Sequence, residues 1–146
     1  LSIISDILDY SKIEAGKTDL DIQPFCFNDL LEKVAVMFQD RAHSKGLLLL
    51  FDMHGDMSVP LLGDESRLMQ IFNNLVSNAV KFTESGEVAV RAIGENESVL
   101  IAFSDTGTGI PANALDSIFE EFQQVKGSDP QHKGTGLGLP ITKGFA

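Results

Sequence analysis

The sequence predicts an α+β domain, a two-layer sandwich in which helices cover one face of a mixed or antiparallel sheet. Apolar residues recur at helical spacing in several segments, most clearly between residues 64 and 82. Shorter apolar or alternating stretches lie between these segments, and two of them flank residues 94–97, which have the composition of a hairpin turn. Helices mixed with hairpin-connected strands favour this architecture.

The elements follow from local patterns of apolar and polar residues. Where apolar residues recur at three and four we expect a helix, and where they alternate or run together briefly we expect a strand. The predicted helices cover residues 1–15, 28–44, 64–82, 112–123 and a final segment after residue 138, and the predicted strands cover residues 22–27, 47–53, 87–93 and 98–104.

Polar and glycine residues set the predicted boundaries. Asn28 and Asp64 are of the residue types preferred at helix N-termini, so each is predicted to cap the helix that follows it. Gly16 and Gly46 are predicted to end helices. Pro140 suits the first turn of the last helix, where no amide donor is needed. Residues 124–133 are polar and contain Gly and Pro, so they predict a mobile loop.

Composition excludes some classes of partner. Lys and Arg total 11 against 21 Asp and Glu, a net charge of -10, which argues against nucleic acid but not against a single nucleotide held by backbone amides and a metal. No apolar run approaches the roughly 20 residues that cross a bilayer, so we expect no direct membrane contact. The single cysteine, Cys26, cannot form an internal disulfide, which allows a cytoplasmic location.

The helix predicted over 64–82 carries the first candidate site. Asn74 and Asn78 lie four residues apart and so share one face, about 6 Å apart along the axis, with Lys81 close by. An amide oxygen is a suitable ligand for Mg²⁺, and a lysine suits a phosphate. Taken alone, the same pattern is also typical of two solvated asparagines on a surface helix.

The second candidate is the turn after the last predicted strand. Asp105 can accept a hydrogen bond from an exocyclic amine, such as that of adenine, and Gly107 and Gly109 let the backbone approach a flat base closely. Asp and Gly are equally ordinary turn residues, so this pattern alone also fits a structural turn.

Two further patterns complete the set. The alternating glycines Gly134, Gly136 and Gly138 precede a helix, where free amides and the helix start favour an anion. They match neither the dinucleotide fingerprint nor a Walker loop. Phe119 and Phe122 share a helical face, for which a place in the core is a simpler reading than ligand contact.

In this order and spacing, the four patterns resemble the asparagine, first glycine, phenylalanine and second glycine boxes of sensor histidine kinases. The resemblance rests on DESRLMQIFNNLVSNAVKFT from residue 64, DTGTGI from residue 105 and GTGLGL from residue 134, and covers nearly the whole chain. The opening ILDYSKIEAGK resembles the end of the second helix of the family's dimerisation domain.

The resemblance implies the Bergerat-type (GHKL) ATP-binding fold, with Mg²⁺-ATP as the ligand. It implies that Asn78 coordinates the metal, that Asn74 assists and that Lys81 reaches the phosphates. It implies that Asp105 binds the adenine amine beside Gly107, Gly109 and Ile110. The phosphate side would be lined by Gly134, Thr135, Gly136, Leu137 and Gly138, and residues 123–133 would form a lid from which Lys133 or His132 meets the γ-phosphate.

The implied activity is donation of the γ-phosphoryl group to a histidine of the phospho-acceptor domain, for later delivery to a response regulator. Hydrolases of the same fold place a glutamate where this chain has Asn74, which cannot act as a base at neutral pH. The alternatives are a degenerate module that binds a nucleotide or partner without transfer, and an ATP hydrolase of this fold.

The resemblance also implies a domain division. Residues 1–20 would be the end of the dimerisation helix and a linker, and residues 21–146 the catalytic domain, truncated because the family continues with further strands. The family's acceptor histidine lies in an opening helix and is followed by an acidic residue, and none of the three histidines, His43, His54 and His132, matches this pattern. We therefore expect all three on the surface and no autophosphorylation by this chain alone. The parent protein is expected to be a cytoplasmic homodimer, with an inner-membrane anchor left open.

Overall fold

The computed structural model describes residues 2–16, 19–55, 60–95, 98–120 and 135–145. The helices are α1 (Ser2–Glu14), α2 (Phe27–Ser44), α3 (Glu65–Phe82) and α4 (Gly138–Phe145), the strands are β1 (Gln23–Phe25), β2 (Leu48–His54), β3 (Leu61–Gly63), β4 (Glu87–Glu95) and β5 (Ser98–Asp105), and a short 3₁₀ helix covers Ala112–Ala114. The chain forms two compact units, one of residues 21–109 and one of residues 1–20 with 110–146.

The unit of residues 21–109 is built on a mixed three-stranded sheet in the order β2-β4-β5. Strand β2 runs parallel to β4, with Leu49 opposite Val88, and β4 runs antiparallel to β5, with Val90 opposite Phe103. Strands β1 and β3 form a separate antiparallel pair. Helices packed on a mixed sheet are the α+β architecture that the sequence predicts.

The core of this unit lies between the sheet and helices α2 and α3. Alternate residues of the strands face it, as the two-residue period of a strand requires. Phe72 of α3 is fully buried and contacts the rings of Phe27 and Phe103 edge to face, with ring centroids 6.1 Å and 5.0 Å apart. The buried side of α3 therefore fixes which of its residues face away from the core.

Helix α3 is capped at its start and helix α2 at its end. The Asp64 carboxylate accepts a hydrogen bond from Arg67 N–H at 3.0 Å, which confirms the predicted cap of α3. Helix α2 ends in a Schellman motif, in which Gly46 N–H donates to His43 O and Leu47 N–H to Ala42 O, both at 2.9 Å. Gly46 has the positive φ of 67° that this motif demands.

The second unit brings α1 and α4 together. A methyl group added at Gly144 of α4 would lie 2.7 Å from Ile13 Cγ2 of α1, so the small residue permits this close approach. Leu137 and Ile141 are fully buried. In the part of the chain that the structure describes, no helix combines the length and apolarity needed to cross a membrane.

Two predicted features of the elements are wrong. Asn28 is not a cap: α2 begins one residue earlier, at the buried Phe27, with Cys26 in the capping position and no side-chain cap. The helix predicted from residue 112 is only a 3₁₀ turn followed by hydrogen-bonded turns. Its apolar residues Leu115 and Phe119 are 49% and 42% exposed, so no packed face sustains a longer helix.

Two further findings concern the strands and loops. The sequence analysis missed β3, which is only three residues long. Residues 96 and 97 of the predicted hairpin turn and all of the predicted loop 124–133 lie outside the described residues. The predicted boundary near residue 20 stays a prediction.

Candidate functional site

Helix α3 carries Asn74 and Asn78 at the margin of the core. Phe72 and Val76 are fully buried, whereas Asn74, Asn78 and Lys81 are half-buried, as the helical period requires of residues away from the apolar stripe. Ser77 Oγ donates to Asn74 O at 3.2 Å. The two amide side chains are thus carried by a helix whose rotation the core fixes.

Asn73, which the sequence analysis did not single out, carries a buried polar atom. Its side-chain oxygen finds no donor among the described residues. A buried acceptor of this kind normally meets a water or a ligand group. Nothing in the sequence separates Asn73 from its neighbour Asn74 except that it lies closer to the apolar stripe.

Lys81 lies in the last turn of α3. Partial burial, and then the positive charge of Arg41, lower the pKa of its ammonium group below the ordinary 10.5. Its Nζ lies 4.8 Å from the centroid of the Phe82 ring. An anion beside Lys81 would offset both effects, so this lysine is suited to meet a phosphate.

The turn after β5 is built around the Asp105 carboxylate. One of its oxygens, Oδ1, accepts a hydrogen bond from Gly107 N–H at 2.8 Å. A carboxylate has four acceptor positions, so the second oxygen can accept from an amine such as that of adenine. The internal hydrogen bond holds the carboxylate in one orientation before any ligand arrives.

The two glycines of this turn are required for different reasons. A Cβ at Gly107 would lie 2.6 Å from the Phe82 carbonyl oxygen and 2.7 Å from Asp105 Oδ1, so no side chain fits there. Gly109 has open space around it but a φ of +68°, which L-residues rarely adopt. Replacement at either position therefore disturbs the turn.

Thr106 anchors the turn to the loop after α3. Its hydroxyl donates to Ser85 O at 3.1 Å and accepts from Glu87 N–H at 2.9 Å, and its own N–H donates to Glu87 O at 3.1 Å. Thr108 N–H donates to the Phe82 carbonyl at 3.4 Å. The structure thus joins the turn of Asp105 to the end of the helix that carries Asn74, Asn78 and Lys81. An open cavity of about 230 Å³ beside it is lined by Glu84, Ser85, Thr106, Gly107 and Thr108.

The second glycine pattern lies in the other unit, and the structure describes only part of it. Gly134, Lys133 and His132 lie outside the described residues, as does Phe122. Gly136 has a φ of +71°, Thr135 Oγ1 accepts from Leu137 N–H at 3.3 Å, and Gly138 begins α4. Ile110 is exposed, and the predicted core position of Phe119 is wrong because its side chain is 42% exposed.

The Asp6 side chain on α1 forms a hydrogen bond with Thr135 of this glycine pattern, a contact that the sequence analysis did not predict. Burial and the negative charge of Asp9 raise the pKa of the Asp6 carboxyl, and a hydrogen bond with the Thr135 side chain partly opposes them. His43 and His54 are exposed as predicted. Among the residues that the structure describes, no three His, Cys, Asp or Glu side chains gather as a metal-binding cluster.

Comparison with known proteins decides the family. The family model of histidine kinase-, DNA gyrase B- and HSP90-like ATPases matches residues 63–146, more than half of the chain. The chain belongs to this family. The match takes in α3, the turn of Asp105 and α4, which carry the residues described above.

Similar known proteins include sensor kinases, which confirms the resemblance that the motifs carry. The chain is 44% identical over 149 aligned positions to the sensor protein GacS of Pseudomonas syringae pv. syringae, and 40% identical to the signal transduction histidine-protein kinase BarA of Escherichia coli strain K12. Each alignment covers 98% of this chain but only 16% of the relative, so the chain spans about a sixth of these proteins.

A solved structure supports the same fold. Full-length ShkA, crystallised in complex with AMPPNP, superposes with a TM-score of 0.82 at 35% identity. The superposition covers 99% of this chain and 30% of ShkA. The superposition confirms the predicted fold class, and the fold described here matches about a third of ShkA.

Proposed function

We propose that this chain is the catalytic domain of a histidine protein kinase, which binds Mg²⁺-ATP and donates the γ-phosphoryl group to a histidine of the phospho-acceptor domain. The observation that carries the proposal is the Asp105 turn, locked by Gly107 N–H and joined to the end of α3 through the Phe82 carbonyl. In a family of ATPases, this connection supports a site in which Asp105 would bind adenine and the side chains at the end of α3 would bind the metal and the phosphates.

Each candidate residue would bind a different part of Mg²⁺-ATP. Asp105 would accept from the adenine amine, Asn78 would offer its amide oxygen to Mg²⁺, and Lys81 would balance phosphate charge. Asn74 cannot remove a proton from water, which favours transfer over hydrolysis. The transfer breaks the bond from the γ-phosphorus to the bridging oxygen, forms a phosphorus–nitrogen bond to the imidazole and releases ADP. The imidazole proton would pass to a base on the phospho-acceptor domain. The domain contributes position and charge neutralisation.

The same proposal extends to partners and location. The glycines of residues 134–138 would line the phosphate side, with Lys133 near the γ-phosphate and Ile110 beside the base. The acceptor histidine would come from the phospho-acceptor domain of the same protein, a homodimer, and a response regulator would receive the phosphoryl group next. The domain would act in the cytoplasm.

Thermal unfolding with nucleotide tests the binding step. ADP or a non-hydrolysable ATP analogue at 100 times its dissociation constant should add about 2.7 kcal/mol of stability, a rise of roughly 5–10 °C in Tm. The rise should require Mg²⁺ and vanish in Asn78→Ala. Ser66→Ala, an exposed change near the other end of α3, should keep it.

A transfer assay separates this activity from its alternatives. The chain is mixed with a separately purified phospho-acceptor domain of a similar sensor kinase and with ATP labelled at the γ-phosphate. Acid-labile label on that domain supports the kinase. Phosphate release without an acceptor would indicate a hydrolase, and binding without either product would indicate a degenerate module.

A further inference from the structure

We infer that Lys45 is a positioning residue for the nucleotide site, which holds the end of α3 and, through it, the turn of Asp105. The inference rests on the proposed function, because it assigns Lys45 a role in nucleotide binding. Lys45 lies outside every pattern that the sequence analysis singled out. It is the C-cap residue that follows α2, directly before Gly46, and it is far in sequence from the residues it contacts.

Lys45 binds three backbone carbonyls at the C-terminus of α3. Its Nζ donates to Val80 O at 2.7 Å, to Lys81 O at 3.1 Å and to Thr83 O at 2.8 Å. An ammonium group has three donors, and all three are used here. The last carbonyls of a helix have no partner within the helix, and a cation there also complements the helix dipole.

The backbone of Lys45 is fixed by the end of its own helix. It occupies the capping position of the Schellman motif, followed by Gly46 with its positive φ and by the buried Leu47. The half-buried side chain therefore starts from a defined point on α2. This makes the position of the α3 end depend on α2 rather than on α3 alone.

The Phe82 carbonyl, which Lys45 does not bind, contacts the turn of Asp105 instead. Between Lys81 and Thr83, the Phe82 carbonyl accepts from Thr108 N–H at 3.4 Å and would lie 2.6 Å from a Cβ at Gly107. Within residues 80–83, Lys45 thus binds three carbonyls and the turn of Asp105 contacts the fourth. A shift of a few tenths of an ångström at Phe82 would move Gly107, and with it the hydrogen bond that orients the Asp105 carboxylate.

Lys45→Met tests the inference, because methionine keeps a long apolar side chain and removes the donors. Lys33→Met is the matched control: Lys33 also lies on α2, and it pairs with Glu65 at the opposite end of α3 at 2.6 Å. Stability is measured by urea unfolding. The affinity for ADP with Mg²⁺ is measured by calorimetry at a temperature where every variant is folded.

We expect Lys45→Met to weaken ADP binding roughly tenfold, the loss typical when a group that orients a ligand-binding residue is removed. Lys33→Met should bind as the wild type does, and Lys45→Arg should recover part of the affinity because it keeps charged donors. If Lys45→Met fails to fold, Lys45→Gln, which retains one donor group, should show an intermediate loss. Unchanged ADP affinity in folded Lys45→Met or Lys45→Gln would overturn the inference.

A second readout separates this inference from the proposed function. In the ligand-free protein, the amide NMR signals of Gly107 and Thr108 should move in Lys45→Met and stay in place in Lys33→Met. If the wild type binds no nucleotide, the proposed function fails, while these amide shifts still decide whether Lys45 positions the turn. A loss of stability without any change at these two amides would make Lys45 a structural residue only.

Discussion

Gly107 and Gly109 belong to one turn, and the structure predicts that replacing them fails for different physical reasons. In Gly107→Ala the new methyl group would start 2.6 Å from the Phe82 carbonyl oxygen. To reach an ordinary contact of 3.4 Å, the turn and the helix end must separate by about 0.8 Å. Forced shifts of this kind cost about 1–3 kcal/mol, or roughly 2–12 °C in Tm for a chain of this size.

The affinity should fall as well as the stability. The separation would strain the hydrogen bond from Gly107 N–H to the Asp105 carboxylate, and a hydrogen bond to a charged group contributes about 1.5–3 kcal/mol. Loss of 1.4 kcal/mol corresponds to about tenfold in Kd. We therefore expect Gly107→Ala to weaken ADP binding by roughly tenfold or more, measured by calorimetry below the unfolding transition.

Gly109 gives the comparison. Gly109→Ala meets no neighbour but must adopt a left-handed φ, which costs about 1–2 kcal/mol, and Gly109→Asn should lose less because asparagine tolerates that region. Gly16→Ala is the control outside the turn, since Gly16 also has a positive φ of 62° with nothing within 4 Å. The reasoning is refuted if Gly107→Ala binds ADP like the wild type, or if asparagine is tolerated at residue 107 as well as at residue 109.

The remaining predictions concern stability. Asp64→Ala should lose about 1 kcal/mol, and Asp64→Asn less, by urea unfolding at pH 7. Burial alone would raise the pKa of Asp64, but hydrogen bonds from the N–H groups of Arg67 and Asp21 and the Arg67 charge lower it below 3.8. The ionised carboxylate therefore contributes stability above pH 3.8, and this contribution is lost as the pH falls through the lower pKa of the folded state. A stability difference between wild type and Asp64→Ala that widens in acid would contradict this. Phe72→Ala should cost about 3–5 kcal/mol in the same assay, and Phe72→Leu should cost less because it keeps part of the buried volume; no loss of stability in Phe72→Leu would mean that the ring contacts contribute little. Gly144→Ala should be unfavourable beside Ile13 but become favourable in an Ile13→Ala background, as measured by a double-mutant cycle; additive effects would rule out the close contact.

The features that the sequence could predict depend on residues a few positions apart in the chain. The period of α3 places Asn74 and Asn78 on one face, and Asp64 caps that helix through a neighbour three residues away. The helix predicted from residue 112 was wrong because only tertiary packing decides whether its apolar residues are buried. Lys45 was not predictable, since its partners lie 35 to 38 residues further along the chain and are backbone carbonyls, which leave no signature in side-chain type.

Helix α3 is held at both ends by groups from outside it. At its start, Asp64 accepts from Asp21 N–H at 3.0 Å and Glu65 pairs with Lys33, and at its end Lys45 holds the last carbonyls. Eighteen residues at 1.5 Å each span about 27 Å between these points. A residue inserted or deleted inside α3 would turn everything beyond it by about 100° and lose one anchorage. Length changes should therefore be selected against in this helix, while single exchanges at exposed positions away from the candidate site, such as Ser66, remain open to evolution.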